Sequence, residues 1–176
     1  YWFMNVAVPA KINLGQMTIH RLVGGARYHM KARDEGGLTS LLSGSSGQSK
    51  GIAYVPDAST SLGFKAGVTL AQTVSDKTLN GDVALDLALS THGGLKSITF
   101  GGNVYSMISI EKRKGLPIER APVGSSMLMV YDFQHKSFHA DLKSAVNTKT
   151  LKGRGRAVVH FDSLTKYVHI GKPSSR

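Results

Sequence analysis

Apolar and polar residues alternate with a period of two along most of this chain. In SLGFKAGVTLAQTV (61–74), Leu62, Phe64, Ala66, Val68, Leu70 and Val74 share one side, while Lys65, Thr69 and Thr73 share the other; Gln72 alone interrupts the apolar side. That is the signature of an amphipathic strand. After LNGD, where Asn80-Gly81 suits a tight turn, Val83, Leu85, Leu87 and Leu89 alternate with Asp82, Asp86 and Ser90, so the two segments read as a long hairpin. A third strand follows in LKSITFGGNVYSMISI, with Gly101-Gly102 expected to mark a bulge or bend.

Upstream, Trp2, Met4, Val6 and Val8 alternate as far as Pro9, which is expected to end the strand or place it at an edge. A second strand carries Met17, Ile19, Arg21 and Val23 on one side and His20 and Leu22 on the other, and Gly24-Gly25 is expected to bend it. DEGGLTSLLSGSSGQSKG (34–51) reads as a flexible Gly/Ser-rich loop, and EKRKGLPIERAP (111–122) as a basic irregular link. In SSMLMVYDFQHKSFHADLKSAV a turn centred on His135-Lys136 would set Phe133 opposite Phe138 and Asp132 facing His139. In the last hairpin, pairing Phe161 with Lys166 puts Val159 opposite Val168 and Ala157 opposite Ile170. A one-residue slip would mix apolar and polar side chains on both faces.

No segment of helical length carries a 3.6-residue period. The fold class is therefore all-β: an antiparallel meander of about 8–10 strands, barrel-like or a two-sheet sandwich, with almost no helix and the apolar sides turned inward. The 176 residues suit one β-domain over 1–176. The chain opens at Tyr1 within an apolar run, without Met or a charged leader, and is expected to be a fragment of a longer protein. No run is long and apolar enough for a transmembrane helix. A membrane barrel would show aromatic residues gathered at strand ends; along the sequence they do not gather there, which favours a water-facing domain.

Composition narrows the chemistry. Cysteine is absent, which removes disulfides and thiolate metal sites. A formal charge of +11 concentrates anions at the surface, so Lys112, Arg113, Lys114, Lys152, Arg154 and Arg156, with Lys149, are candidates for binding phosphates, and Tyr54 or Tyr105 for stacking bases. The basic runs are not interleaved with aromatics as stacking platforms require. His160 and His169 fall on one face as diagonal neighbours and are weak metal candidates, since a structural zinc site takes four ligands and no third is in place; no metal or cofactor is expected. Asp132 and His139 resemble two members of a hydrolase triad, but no Gly-x-Ser-x-Gly elbow supplies a nucleophile, so no catalytic residue is assigned. GRGRAV and GKPSSR lack the spacing and the following helix of a phosphate loop. Gly24, Gly25, Gly63, Gly81 and Gly171 are read as structural turn or close-approach positions.

LVGGARYHM (22–30), YVPDASTSLGFKAGV (54–68) and GRAVVHFDSLTKYVHIGKPSSR (155–176) resemble β-rich segments of very large uncharacterised secreted or surface proteins of Bacteroidetes-type bacteria. In that pattern a Trp precedes the Tyr of the final hairpin, where this chain has Lys166 before Tyr167. The resemblance implies a β-module of a giant envelope or extracellular protein, with no activity to carry over.

The expected function is a non-catalytic structural or binding β-module of a large bacterial envelope or extracellular assembly. Its partners would be other domains or subunits, with anionic polymers or lipid as further candidates. Two other readings stand beside it: an anion- or nucleic-acid-binding, capsid-like β-domain, and a carrier of a lipid or other apolar ligand in a β-lined cavity or groove. Closure of the sheet would favour the carrier, and open edges would favour assembly.

Overall fold

The computed structural model describes residues 1–32 and 54–171. In chain order the strands are β1 (Trp2–Asn13), β2 (Met17–Tyr28), β3 (Met30–Ala32), β4 (Tyr54–Pro56), β5 (Thr60–Gln72), β6 (Asn80–Ser90), β7 (Leu95–Ser106), β8 (Val123–Asp132), β9 (Ser137–Asn147), β10 (Lys152–Phe161) and β11 (Lys166–Ile170). Nine of them form one sheet in the order β1-β2-β5-β6-β7-β8-β9-β10-β11, antiparallel at each junction. The remaining two, β3 and β4, make a separate ribbon. Among the described residues the only helical element is a 3-10 turn, Ile118–Arg120.

The fold is thus the all-β meander that a period of two demands. β1 and β11 lie at its two margins, and neither has a second partner among the described residues, so these nine strands do not close as a barrel. The segment 34–51, expected to be a flexible loop, lies outside the described residues.

The last hairpin has the expected register, with Ala157, Val159 and Phe161 opposite Ile170, Val168 and Lys166. The preceding one does not. Tyr131 pairs with Phe138, Val130 with His139, and Asp132 with Ser137. The Asp132 carboxylate explains the difference, because Oδ1 accepts the backbone N–H groups of Gln134 (2.8 Å) and His135 (3.0 Å), fixing the turn one residue earlier, over 133–136, where it ends at Lys136 with a φ of 48°.

Asn80-Gly81 is likewise not a turn. The chain reverses over residues 73–79, and buried Asn80 opens β6, its amide donating to the carbonyls of Asp76 (2.5 Å) and Ile108 (2.7 Å). Gly81 is there for space, since a Cβ would sit 2.3 Å from the Asn103 carbonyl oxygen on β7. Gly101 and Gly102 pair without a register shift; the irregularities fall instead between Pro9 and Ile12, Ile19 and Arg21, Thr60 and Gly63, and Ala88 and Leu89. Pro9 sits within β1 beside a bulge, where an edge strand tolerates the missing N–H. Gly24 and Gly25 lie in the middle of β2, opposite Val6 and Asn5, and pair on both sides without a register shift. Gly171 follows β11 with a φ of 134°.

Candidate functional site

Directly paired residues in a sheet project to the same face, so the register assigns every side chain to one of two surfaces. One surface is apolar from margin to margin. Val8, Leu22, Val68 and Val83 run across β1, β2, β5 and β6, and the row continues beyond Gly102 through Met127, Leu142, Ala157 and Ile170. The neighbouring row includes Val6, Ala66, Leu85, Phe100, Met129, Val159 and Val168.

Towards one end of the strands the face becomes aromatic. Phe64, Tyr131, Phe138 and Phe161 lie in one row, and Trp2 pairs with Tyr28 just beyond it. Several of these rings touch: Trp2 and Tyr28 stack at 6.4 Å, Phe138 and Phe161 at 6.3 Å, and Tyr131 meets Phe133 edge-on at 4.6 Å. Lys166, at the margin of the aromatic row, is the only charged side chain in these rows.

The apolar face was expected to turn inward, and the structure corrects that. Phe64 is 45% exposed and Leu85 38%, and none of the described elements packs over them. The opposite face, expected to meet solvent, is the buried one across β2, β5 and β6, while its ends on β1 and β11 stay exposed. It carries Arg27, Lys65, Thr69, Asp82 and Asp86, whose positions along β2, β5 and β6 interleave with the apolar ones.

Two short segments of the chain cover this polar face. The β3-β4 ribbon brings Tyr54 against Phe3 (ring centroids 4.7 Å) and beneath the Arg27 guanidinium, whose Nε donates to the Met30 carbonyl at 3.1 Å. The link between β7 and β8 lays Arg113 over the Tyr105 ring at 4.8 Å and packs Ile118 and Ala121 with Tyr105 and Ala145.

Ion pairs hold the covered face together. Arg27 reaches past Gly63 to grip Asp86 with both terminal nitrogens, at 2.6 and 2.7 Å. A Cβ on Gly63 would fall 2.4 Å from the Arg27 Cζ, so only glycine leaves the guanidinium a path. Arg113 grips Asp82 in the same way, at 2.5 and 3.1 Å, while Thr69 donates its hydroxyl to Asp82 at 2.7 Å. At the aromatic end, Lys96 donates to Asp57 at 2.6 Å. Burial pushes the Asp57 carboxyl up, but hydrogen bonds from Lys96, Ser59 and Thr60 outweigh it and hold the group well below the usual carboxylate range.

The predicted site residues separate accordingly. Of the anion-binding candidates, Arg113 is buried against Asp82, and Arg156 is engaged bidentately by Asp141 at 2.8 Å through both contacts. Lys112, Lys114, Lys152 and Arg154 are exposed, as is Lys149. Tyr105 is buried beneath Arg113, and Tyr54 is taken up by Phe3 and Arg27, so neither offers a free ring face for a base.

The register places His160 and His169 as diagonal neighbours on one face, as expected. His169 pairs with Val158, whereas His160 stacks on Tyr167 at 5.3 Å and contacts Asp162 at 2.9 Å. No group of three or more metal-ligating side chains occurs among the described residues. The His160 contact, together with the Leu164 and Thr165 N–H groups, holds the Asp162 carboxyl down to about 2. Asp132 bonds His135 at 2.8 Å within the exposed turn and does not meet His139, which lies beside His160 instead. The pairing that suggested a triad is therefore absent.

The alternation revealed both faces in the sequence but not which one is buried. The missed signal lies in the pairing of opposite charges, Lys65 across from Asp86, with glycines placed where Arg27 crosses.

No family model matches this chain, and no curated protein or solved structure matches it.

Proposed function

We propose that this chain is a non-catalytic structural β-module of a larger bacterial envelope or extracellular assembly, acting through the margins and faces of its sheet. One observation carries the reading: nine of the described strands form an open sheet whose margins, β1 and β11, have no further strand partner among the described residues and so present backbone donors and acceptors for pairing. The ion pairs and packed links of the covered face give such a module rigidity. The open sheet gives no closed barrel interior for a carried ligand. The basic loops retain exposed Lys112, Lys114, Lys152 and Arg154 as accessory contacts for anions. The bacterial setting is what the resemblance of the three segments implies.

The test is sedimentation of the purified full chain in the micromolar range, with detergent where solubility requires it. Assemblies larger than one chain are expected. Val168→Pro and His169→Pro remove successive N–H groups from β11, and only one of these points away from β10. The outward one is expected to weaken assembly by about tenfold or more, in proportion to the ladder bond lost. A chain that stays monomeric throughout that range overturns the reading.

A further inference from the structure

We infer that the bare apolar face is a lipid-facing surface, with the strand direction running across a bilayer. This rests on the reading above, because the margins β1 and β11 must be completed by neighbouring strands before any sheet can enter hydrocarbon, where unpaired N–H and C=O groups find no partners.

The first support is which face the chain covers. A water-soluble sheet places its loops over its apolar side; here the β3-β4 ribbon and the 107–122 link lie over the polar side, leaving aliphatic rows bare across all nine strands. An outward apolar face backed by an inward polar one is the arrangement of a membrane β-wall. Strand length agrees. Eight of the nine strands of the sheet, all but β11, run 10–13 residues, and tilted by about 40° such strands span roughly 25–33 Å, enough for the hydrocarbon layer.

The second support is polarity along the strands. At one end the face is rimmed by Trp2, Tyr28, Tyr131, Phe138 and Phe161, the residue types that settle at the headgroup boundary. The loops at the opposite end, including the link that folds back over the polar face, carry exposed Lys77, Lys112, Lys114, Arg120 and Lys149 with exposed Glu111 among them, a larger set of cations than Lys136 and Lys166 at the aromatic end, and this surplus complements anionic headgroups. Between the two lies a band free of charge. A second copy stacked on this face would bury the aliphatic rows equally well but gives no reason for aromatic residues at one end and a surplus of cations at the other.

The experiment uses the full chain, refolded with vesicles of phosphatidylethanolamine and phosphatidylglycerol and floated in a density gradient. The wild type is expected to float and to stay bound in 1 M salt. Leu85→Lys and Met129→Lys, at the middle of the face, are expected to reduce the floating fraction by about tenfold or more, although each adds a cation that anionic lipid would attract. The sole tryptophan gives an independent readout on unmutated protein. Trp2 is expected to be quenched more by lipids brominated near the headgroup than by lipids brominated near the chain end.

Binding that salt abolishes and Leu85→Lys spares assigns the contact to the basic loops and overturns the inference. A wild type that never floats but forms a dimer lost in Leu85→Lys assigns the face to a second copy and also overturns it. Assembly through β11 is read separately in detergent: flotation that persists without such assembly fails the proposed function alone, and assembly without flotation fails this inference alone.

Discussion

Neighbouring residues of β6 provide a direct test of which side of the sheet is interior. Asp82 and Leu85 lie three positions apart on opposite faces, the carboxylate 5% exposed and the leucine 38%. Asp82 accepts two bonds from Arg113 and one from Thr69, and Arg113 is itself buried at 8% exposure. Asp82→Ala therefore leaves a buried guanidinium without its counter-charge, a change that costs about 3–5 kcal/mol where water cannot reach it and about 0–1 kcal/mol where it can. Leu85→Ala removes side chain from a face with no layer above it and is expected to cost about 1 kcal/mol, well under the 2–5 kcal/mol of a packed core leucine.

Denaturant unfolding, with midpoint and slope measured for each variant in one common solvent, gives both numbers. For a chain of this size each kcal/mol shifts the melting temperature by about 2–4 °C, so Asp82→Ala should fall by roughly 6–20 °C and Leu85→Ala by a few degrees. The pair Asp82→Ala with Arg113→Met should cost less than the sum of its single changes, because removing both partners leaves no orphan charge. If Leu85→Ala is the costlier of the two single changes, the assignment of interior and exterior is reversed.

The Asp57 cluster sets a pH dependence. Its folded carboxyl titrates below the unfolded one, so its contribution to stability is complete above the ordinary aspartate range near pH 4 and declines as pH falls towards the lower folded value. Asp57→Asn should lower stability at neutral pH by about 1–3 kcal/mol, the worth of hydrogen bonds to charged groups, and should flatten the loss seen in the wild type when melting is followed down to acid pH. Gly81→Ala must push against the Asn103 carbonyl and should cost about 1–3 kcal/mol. Gly63→Ala must displace Arg27 from Asp86 and should cost at least as much; an Asp86→Asn background should shrink the Gly63→Ala penalty but leave that of Gly81→Ala unchanged.

Alternation alone fixed the β class, the meander and the register of the last hairpin, because a slip there exposes Val159 and Val168 to the wrong face. Local turn chemistry misled where side chains competed with it. Asn80-Gly81 has the composition of a turn, but the Asn80 amide is drawn into the fold by the carbonyls of Asp76 and Ile108, and Asp132 shifts its turn by one residue by capping two N–H groups. These partners are distant in sequence or depend on turn geometry, so no local pattern announces them.

The identity of the covered face was decided only in three dimensions. A period of two states that a strand has two unlike sides and is silent on which one other chain segments will cover. Placing Arg27 beside Asp86 requires β5 to lie between their strands, and burying Arg113 against Asp82 requires the 107–122 link to fold back across the sheet. Aromatic residues scattered along the sequence gathered in two adjacent rows at one end of the strands only after the strand registers had aligned them. Residue order sets each strand's two sides, whereas long-range pairing of charges and rings decides which side is shielded and what the other is left to meet.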